Sequence, residues 1–433
     1  MENVNIFWFR RDLRVDDNHG LFQALNAGLP VVPVFIFDPA ILAQFPNPND
    51  ARLTFIHQSL CALDREFRKY NSSLQVYFSS PEVVFGRLAA KYLIHSVFTN
   101  TDYEPASIIR DQKVAKILQE KGIEFQSLKD QVIFHQDEVT KSNGKPYTIF
   151  TSYCKKWKEI LAIQGIPEYK SEQHLANLKH LSSDYFPDLE EIGYQVQNVK
   201  FPEKTFDQFL IENYARTRNF PGEKGTSRLG IHLRFGTIPI RKLIRFAQIH
   251  SEVFLNELIW RNFYMDILWH FPYVVEKSFK PAYNFVPWLN NEAEFERWCT
   301  GQTGYPLVDA GMRELNETGY MHNRVRMVVA SFLTKHLLID WRWGEAYFAS
   351  KLLDYELASN NGGWQWAAGS GCDAAPYFRV FSPELQAKKY DPQLKYISKW
   401  VPEIETSFYP KPMVDHAFAR NRALETYKKA LKS

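Results

Sequence analysis

Cysteine is scarce in this chain. Its 433 residues hold four, Cys61, Cys154, Cys299 and Cys372, with no C-x-x-C pair and no metal-ligand spacing, so neither disulfides nor zinc organise the fold. No apolar run approaches the roughly 18 residues of a membrane span. The opening MENVNIFWFRRDLRVDD has acids and arginines where a secretory leader needs unbroken apolar residues, so a cytoplasmic location without a membrane partner is expected. The formal net charge of +3 is too small to announce a nucleic acid or a membrane surface by itself. No repeat of fixed period is present, which argues against a solenoid. The G-x-G-x-x-G fingerprint is missing after the first apolar run, where Arg10, Arg11, Asp12 and Arg14 stand instead; these can hold an anion or form a solvated loop.

Aromatic residues are what the chain has in excess: 33 Phe, 22 Tyr and 11 Trp within a 45% hydrophobic composition. That load excludes disorder and calls for large aromatic surfaces, either packed or used for stacking. The length fits two or three domains of about 100–200 residues.

Apolar runs Val4–Phe9 and Val31–Phe37 and strand-like segments Leu74–Phe78, Ser96–Asn100 and Ile123–Leu128 alternate with helical patterns at Asn18–Ala27, Ala51–Tyr70, Glu82–Tyr92 and Glu104–Glu120. Crossovers of that length force parallel strands with helices on both faces, a doubly wound α/β sheet over residues 1–130. Residues 131–200 read as an interdomain connection with one helix near Tyr153–Gln164. Residues 201–433 read as an all-α domain, with helices at Thr205–Thr217, Pro239–Ala247, Ser251–Trp269, Glu292–Cys299, Leu307–Asn316, His322–Ile339 and Trp343–Leu357.

Four constellations carry chemistry. Glu257, Trp260, Arg261 and Tyr264 share one helical face, either as a site or as a Glu257–Arg261 ion pair beside a buried Trp. Asn323, Arg326 and Met327 repeat the device, with Arg324 beside them. The run Gly225-Thr226-Ser227-Arg228 before a helical segment offers hydroxyls and N–H groups for a phosphate, or plain N-capping by Thr226 or Ser227. In LASNNGGWQWAAGSG, Gly362 and Gly363 precede Trp364 and Trp366 on a loop or frayed helix end, the alternative being a helix stop after Ser359. Trp288 and Trp341 complete the tryptophan set.

Together with FWFRRDLRVDDNHGL, TGYPLVDAGMRELNETGYMHNRVRM and DWRWGEAYF, these strings resemble the photolyase/cryptochrome family along nearly the whole chain, and most closely class I cyclobutane pyrimidine dimer photolyases. The resemblance implies an antenna-type domain at 1–130 and a helical FAD-binding catalytic domain at 201–433. It implies FAD contacts at Tyr214, Thr226, Ser227, Arg228, Leu229, Gly230, Arg326, Asp354, Tyr355, Glu356 and Asn360, with Asn360 facing the flavin. It further implies a pocket for the flipped dimer lined by Glu257, Trp260, Arg261, Tyr264, Asn323, Met327 and Trp366, with Gln386 near the ultraviolet-damaged DNA; the phosphates on either side need cations, for which Arg324 and Arg379 are candidates. Trp364, Trp341 and Trp288 match the family's electron-hopping chain. The implied activity is light-driven electron donation from reduced FAD to the dimer, with Glu257 stabilising the charge that develops there.

Two positions depart from the pattern. Gly230 replaces a second serine, removing one hydroxyl from the phosphate site, and Glu356 stands where aspartate is expected. The rival reading is a cryptochrome blue-light receptor with the same fold and flavin. Asn360 favours repair, as does a chain ending at Ser433 without a long signalling tail. Trp260 and Met327 do not fit the six-four class, which carries a histidine pair, and tryptophan at both 260 and 366 does not fit the DASH type. The antenna site is left open by Arg10, Asp12 and Arg14: it could hold a folate, a deazaflavin, a second flavin or nothing. A monomer without an obligate protein partner is expected.

Overall fold

The computed structural model describes residues 1–182 and 185–432. Contacts divide the chain into two compact units, one of residues 1–138, 159–205 and 229–246, the other of residues 139–158, 206–228 and 247–433. No helix among the described residues is long and apolar enough to cross a membrane.

The first unit is built on five parallel strands: β1 (Asn3–Phe9), β2 (Val31–Phe37), β3 (Gln75–Phe78), β4 (Leu93–Asn100) and β5 (Glu124–Leu128). Their order is β3-β2-β1-β4-β5, all pairings parallel. Helices His19–Asn26, Ala51–Arg68, Pro81–Lys91 and Pro105–Gln119 supply the expected crossovers. Six of the seven residues of β1 and all of β2 are buried. β2 therefore reads as an unbroken apolar run, and β1 as one interrupted only by the buried Asn5, instead of alternating. Strand order reverses at β1, so the crevice between the carboxyl ends of β1 and β4 is the unit's natural ligand position.

The arginine run leaving β1 is neither solvated nor free to hold an anion. Arg10 pairs with Asp111 at 2.5 Å, Arg11 with Glu104 at 2.8 Å, and Arg14 with Asp130 at 2.8 Å. Arg241 closes a buried cluster, 2.7 Å from Asp130 and 3.0 Å from Asp17. Burial pushes the Asp130 carboxyl up, but Arg14 and Arg241 outweigh it and hold the group well below the usual carboxylate range. A depressed carboxyl stabilises the fold above its unfolded value and loses that contribution as pH falls through the native one. Asp130→Asn, leaving two buried guanidiniums short of an anion, is expected to cost about 3 kcal/mol. Thermal melts are expected to show the largest wild-type advantage near neutrality, shrinking below about pH 4. An unchanged melting temperature at pH 7 contradicts this.

The second unit is helical. The sequence pattern at 343–357 is two elements: helix Trp341–Lys351 ends before an extended turn, and a new helix, Leu357–Ala368, begins after Glu356. The Asn-Asn-Gly-Gly run is helix interior, not a loop, a frayed end or a stop after Ser359. Its polar side chains explain this: Asn361 and Gln365 each donate to the Val274 carbonyl at 2.9 Å, and Gln365 accepts from the Phe279 N–H at 2.8 Å. The element expected over 322–339 is α-helical only at Asn323–Ser331 and widens to a π-turn over Phe332–His336. The Thr205–Thr217 pattern resolves into two short helices, Gln208–Glu212 and Tyr214–Thr217. Trp298, Trp341, Trp364 and Phe332 lie in the main apolar cluster of this unit.

Candidate functional site

Helix Glu252–His270 opens on Ser251, whose hydroxyl caps the Phe254 N–H, and carries Glu257, Trp260, Arg261 and Tyr264. Helix Phe150–Gln164 runs antiparallel to it. Lys158 reaches Glu252 at 2.8 Å, Cys154 Sγ lies 3.4 Å from Asn256 Oδ1, and Phe150 stacks on Trp260 with ring centroids 3.7 Å apart. Tyr153 and Trp157 donate to Asp266 and Asn262 at 2.6 and 3.2 Å. Glu257 is ion-paired with Arg218 at 2.5 Å, and Arg261 with Glu356 at 3.0 Å. The i,i+4 spacing of Glu257 and Arg261 thus serves two separate partners.

Tyr264 packs beneath helix Leu357–Ala368 because Gly362 faces it: a Cβ there would stand 2.2 Å from the tyrosine ring. Burial pushes the Tyr264 phenol well above its usual value, so it remains protonated. Gly362→Ala must therefore displace the ring or the helix. The expected cost is about 1–3 kcal/mol, read as a lower melting temperature together with weaker flavin retention. A variant as stable as the parent contradicts the close packing.

Helix Asn323–Ser331 starts at His322, whose Nδ1 accepts the Arg324 N–H at 3.1 Å. Asn323 is exposed and Met327 half-buried. The Arg324 guanidinium donates to Asn219 Oδ1 at 2.7 Å, lies 4.4 Å over the Tyr390 ring, and stands 3.9 Å from Met327 Sδ. Arg326 donates to the Met321 carbonyl at 2.7 Å and forks onto both oxygens of Asp354 at 2.9 and 3.1 Å. Burial disfavours the Arg326 charge, yet Asp354, together with Tyr320 and Glu314, outweighs it and holds the guanidinium above its ordinary value.

Asp354, Tyr355 and Glu356 form the turn between the two helices, with Tyr355 against the apolar cluster. Glu356 is buried and accepts from Arg261 and, at 3.1 Å, from Ser359 Oγ. Asn360 donates to Glu345 Oε1 at 2.8 Å and to its carbonyl at 3.1 Å. Burial raises the Glu345 carboxyl, and the Asn360 amide opposes that shift.

Around the hydroxyl run, Thr226 Oγ1 lies 3.1 Å from the Tyr320 hydroxyl. Arg228 sits at φ +53° with its guanidinium 4.3 Å over the Tyr320 ring and 3.9 Å from Glu314. Ser227 falls between them in the chain. The Arg218 guanidinium lies 5.2 Å from the Tyr214 ring, and burial pushes the Tyr214 phenol up. Leu229 and Gly230 fall in the first unit. There, helix Gly230–Arg234 has Leu229 as its cap residue and no side-chain cap, so N-capping by Thr226 or Ser227 is not the reason for those hydroxyls.

Trp364 is 2% exposed, edge-on to Phe348 at 5.0 Å and to Trp298 at 6.1 Å. Gly344 admits it, since a Cβ there would lie 2.1 Å from the indole. Trp341 is fully buried in the same cluster, and Trp288 packs against that cluster while meeting Tyr427 edge-on at 5.9 Å. Trp366 is half-buried and stacks on Phe381 at 6.4 Å. Gln386 lies on helix Pro383–Tyr390 with Oε1 buried and unpartnered; Arg379 is exposed. The structure adds partners that the sequence reading passed over: Arg218, Tyr320, Glu345 and Phe150. Only the i,i+4 spacing of Tyr214 and Arg218 hinted at any of these.

Residues 5–172 match the DNA photolyase family and residues 254–407 match the FAD binding domain of DNA photolyase. The chain is similar to the deoxyribodipyrimidine photo-lyase of Halobacterium salinarum, 35% identical over 99% of each chain. Among solved structures it resembles a bacterial class III photolyase from Agrobacterium tumefaciens with TM-score 0.85 and 30% identity, over 100% of this chain and 98% of that one. It also resembles an archaeal photolyase from Sulfolobus tokodaii solved with two FAD molecules, TM-score 0.80 and 36% identity, over 99% of this chain and 100% of that one.

Proposed function

We propose, from the premise that this chain belongs to the DNA photolyase family, that it repairs cyclobutane pyrimidine dimers flipped out of ultraviolet-damaged DNA. The chain is a flavoprotein lyase of DNA repair, of the deoxyribodipyrimidine photo-lyase class, with FAD as cofactor. FAD, when bound, supplies the light-driven electron on which the repair depends. In this reading residues 1–130 form the antenna-type domain, 131–200 the connection and 201–433 the catalytic domain.

The donor set suits a flavin dinucleotide. Arg326, held in place by Asp354, offers fixed N–H groups and positive charge to the ring; Asn360, gripped by Glu345, presents its remaining amide oxygen. Thr226, Ser227 and the left-handed Arg228 suit the diphosphate, with Tyr214 and Tyr355 as further contacts. Glu356 in place of aspartate is accounted for by its partner: its longer arm reaches Arg261.

Trp260 and Trp366 then serve as apolar walls for the lesion, with Tyr264 behind them, while Met327 fills space adaptably and Asn323 and Glu257 meet the pyrimidine edges. Extruding a dimer costs a few kcal/mol, less than for an intact pair. Arg324, Arg379 and Gln386 face the strand. Trp364, Trp341 and Trp288 form the route by which oxidised cofactor is re-reduced. A second flavin is the proposed antenna chromophore, since the Sulfolobus tokodaii photolyase was solved with two FAD molecules.

The observation that carries the proposal is the 3.0 Å Arg261–Glu356 ion pair. It ties the helix bearing Glu257 and Trp260 to the segment bearing Asp354 and Asn360, so the lesion set and the flavin set are locked together. The test is dark binding of oligonucleotides with and without one dimer to the FAD-loaded and FAD-free chain. Stoichiometric flavin absorption and selective binding of the damaged strand are expected; a colourless chain indifferent to the lesion overturns the proposal.

A further inference from the structure

Helix Phe150–Gln164 begins with a ring that the chemistry above leaves unused. Phe150 lies face to face with Trp260, centroids 3.7 Å apart and planes 6° from parallel, and meets Phe263 edge-on at 5.9 Å. Its N–H donates to Asp373 Oδ2 at 2.9 Å. Asp373 stands in the turn after helix Leu357–Ala368, seven residues beyond Trp366. A carboxylate at a helix N-terminus is favoured by the free N–H groups there, so the link fixes where the helix starts and where its first ring sits. The antiparallel contacts with helix Glu252–His270 fix the rest of the register.

A ring already stacked at van der Waals separation admits nothing between itself and its partner. One face of Trp260 is therefore closed, and a flat ligand has only the other. The strap Trp366, Asp373, Phe150, Trp260 also connects the two tryptophan walls through a single hydrogen bond, from the Phe150 N–H to the Asp373 carboxylate. We infer that Phe150, placed by Asp373, is a positioning residue that orients Trp260 and sets its distance from the Trp366 side, so that the pocket takes a flat, extruded pyrimidine pair against the other face of the indole. This rests on the lesion-wall role proposed for Trp260.

The test measures dark binding of the FAD-loaded full chain to an oligonucleotide with one thymine dimer and to its undamaged counterpart. Phe150→Ala and Phe150→Leu are expected to weaken lesion binding roughly two- to tenfold, the range that a stacked aromatic pair supports. Flavin content and affinity for undamaged DNA stay unchanged, and Phe150→Trp restores binding. Added to Trp260→Ala, Phe150→Ala is expected to cost nothing further. Asp373→Ala reproduces part of the loss, and Asp373→Asn, which keeps an acceptor oxygen, does not. Unchanged lesion affinity in Phe150→Leu, or a Phe150→Ala loss that persists in full beside Trp260→Ala, overturns the inference while leaving the lesion wall standing. If Trp260→Ala itself has no effect, the wall falls and the inference with it. Where Phe150→Ala loses flavin or melts early, Phe150→Leu decides.

Discussion

Trp260→Ala is expected to weaken dark binding of dimer-containing DNA by roughly 5- to 150-fold, the range that one base–aromatic stack spans. The indole is half-buried, its back is covered by Phe150, and Phe263 and Tyr264 touch it at 5.6 and 5.4 Å. It is a rigid plate with one face to offer, and little ordering entropy is lost when a ligand meets it. Removing it leaves the Arg261–Glu356 and Arg326–Asp354 pairs in place, so flavin content is expected to be unchanged. Gel-shift titration against damaged and undamaged strands measures both. Equal lesion affinity in variant and parent contradicts the wall.

Trp364→Phe is expected to abolish light-driven reduction of oxidised flavin while sparing repair by chemically pre-reduced protein. Phenylalanine keeps the ring in the space left by Gly344 and against Phe348, so the packing loss is small. What disappears is the easily oxidised indole. Trp341 and Trp288 remain in and against the same cluster, without the first link. Transient absorption after a light pulse reads the reduction step, and single-turnover repair reads the other arm. Normal photoreduction in the variant removes Trp364 from the route.

The sheet was legible in the sequence because buried parallel strands have to be largely apolar runs separated by crossovers of helical length; β2 shows this directly, and β1 but for Asn5. The helices bearing Glu257 and Asn323 were legible from their 3.6-residue period. The fate of the arginines at 10–14 was not, because their partners Asp111, Glu104 and Asp130 lie about a hundred residues away, and no local pattern encodes such pairing. The glycines at 362 and 363 misled for a physical reason: Gly is a weak helix former, yet helix Leu357–Ala368 is held by tertiary hydrogen bonds from Asn361 and Gln365 and by contact with Tyr264. Phe150 was invisible as part of any site, since it sits in a stretch whose period is weak and its significance is the ring it covers. The order of the motifs pointed to the family, while the ion pairs that join them, above all Arg261–Glu356, needed coordinates.

The most direct measurement is photorepair by the purified, FAD-loaded and reduced chain. An oligonucleotide with one cyclobutane thymine dimer is bound in the dark, illuminated with blue light, and followed at 260 nm and by chromatography. Light-dependent recovery of the intact thymines, absent in darkness and without flavin, is the expected result. A chain that binds FAD and the damaged strand but leaves the dimer untouched under illumination contradicts the account.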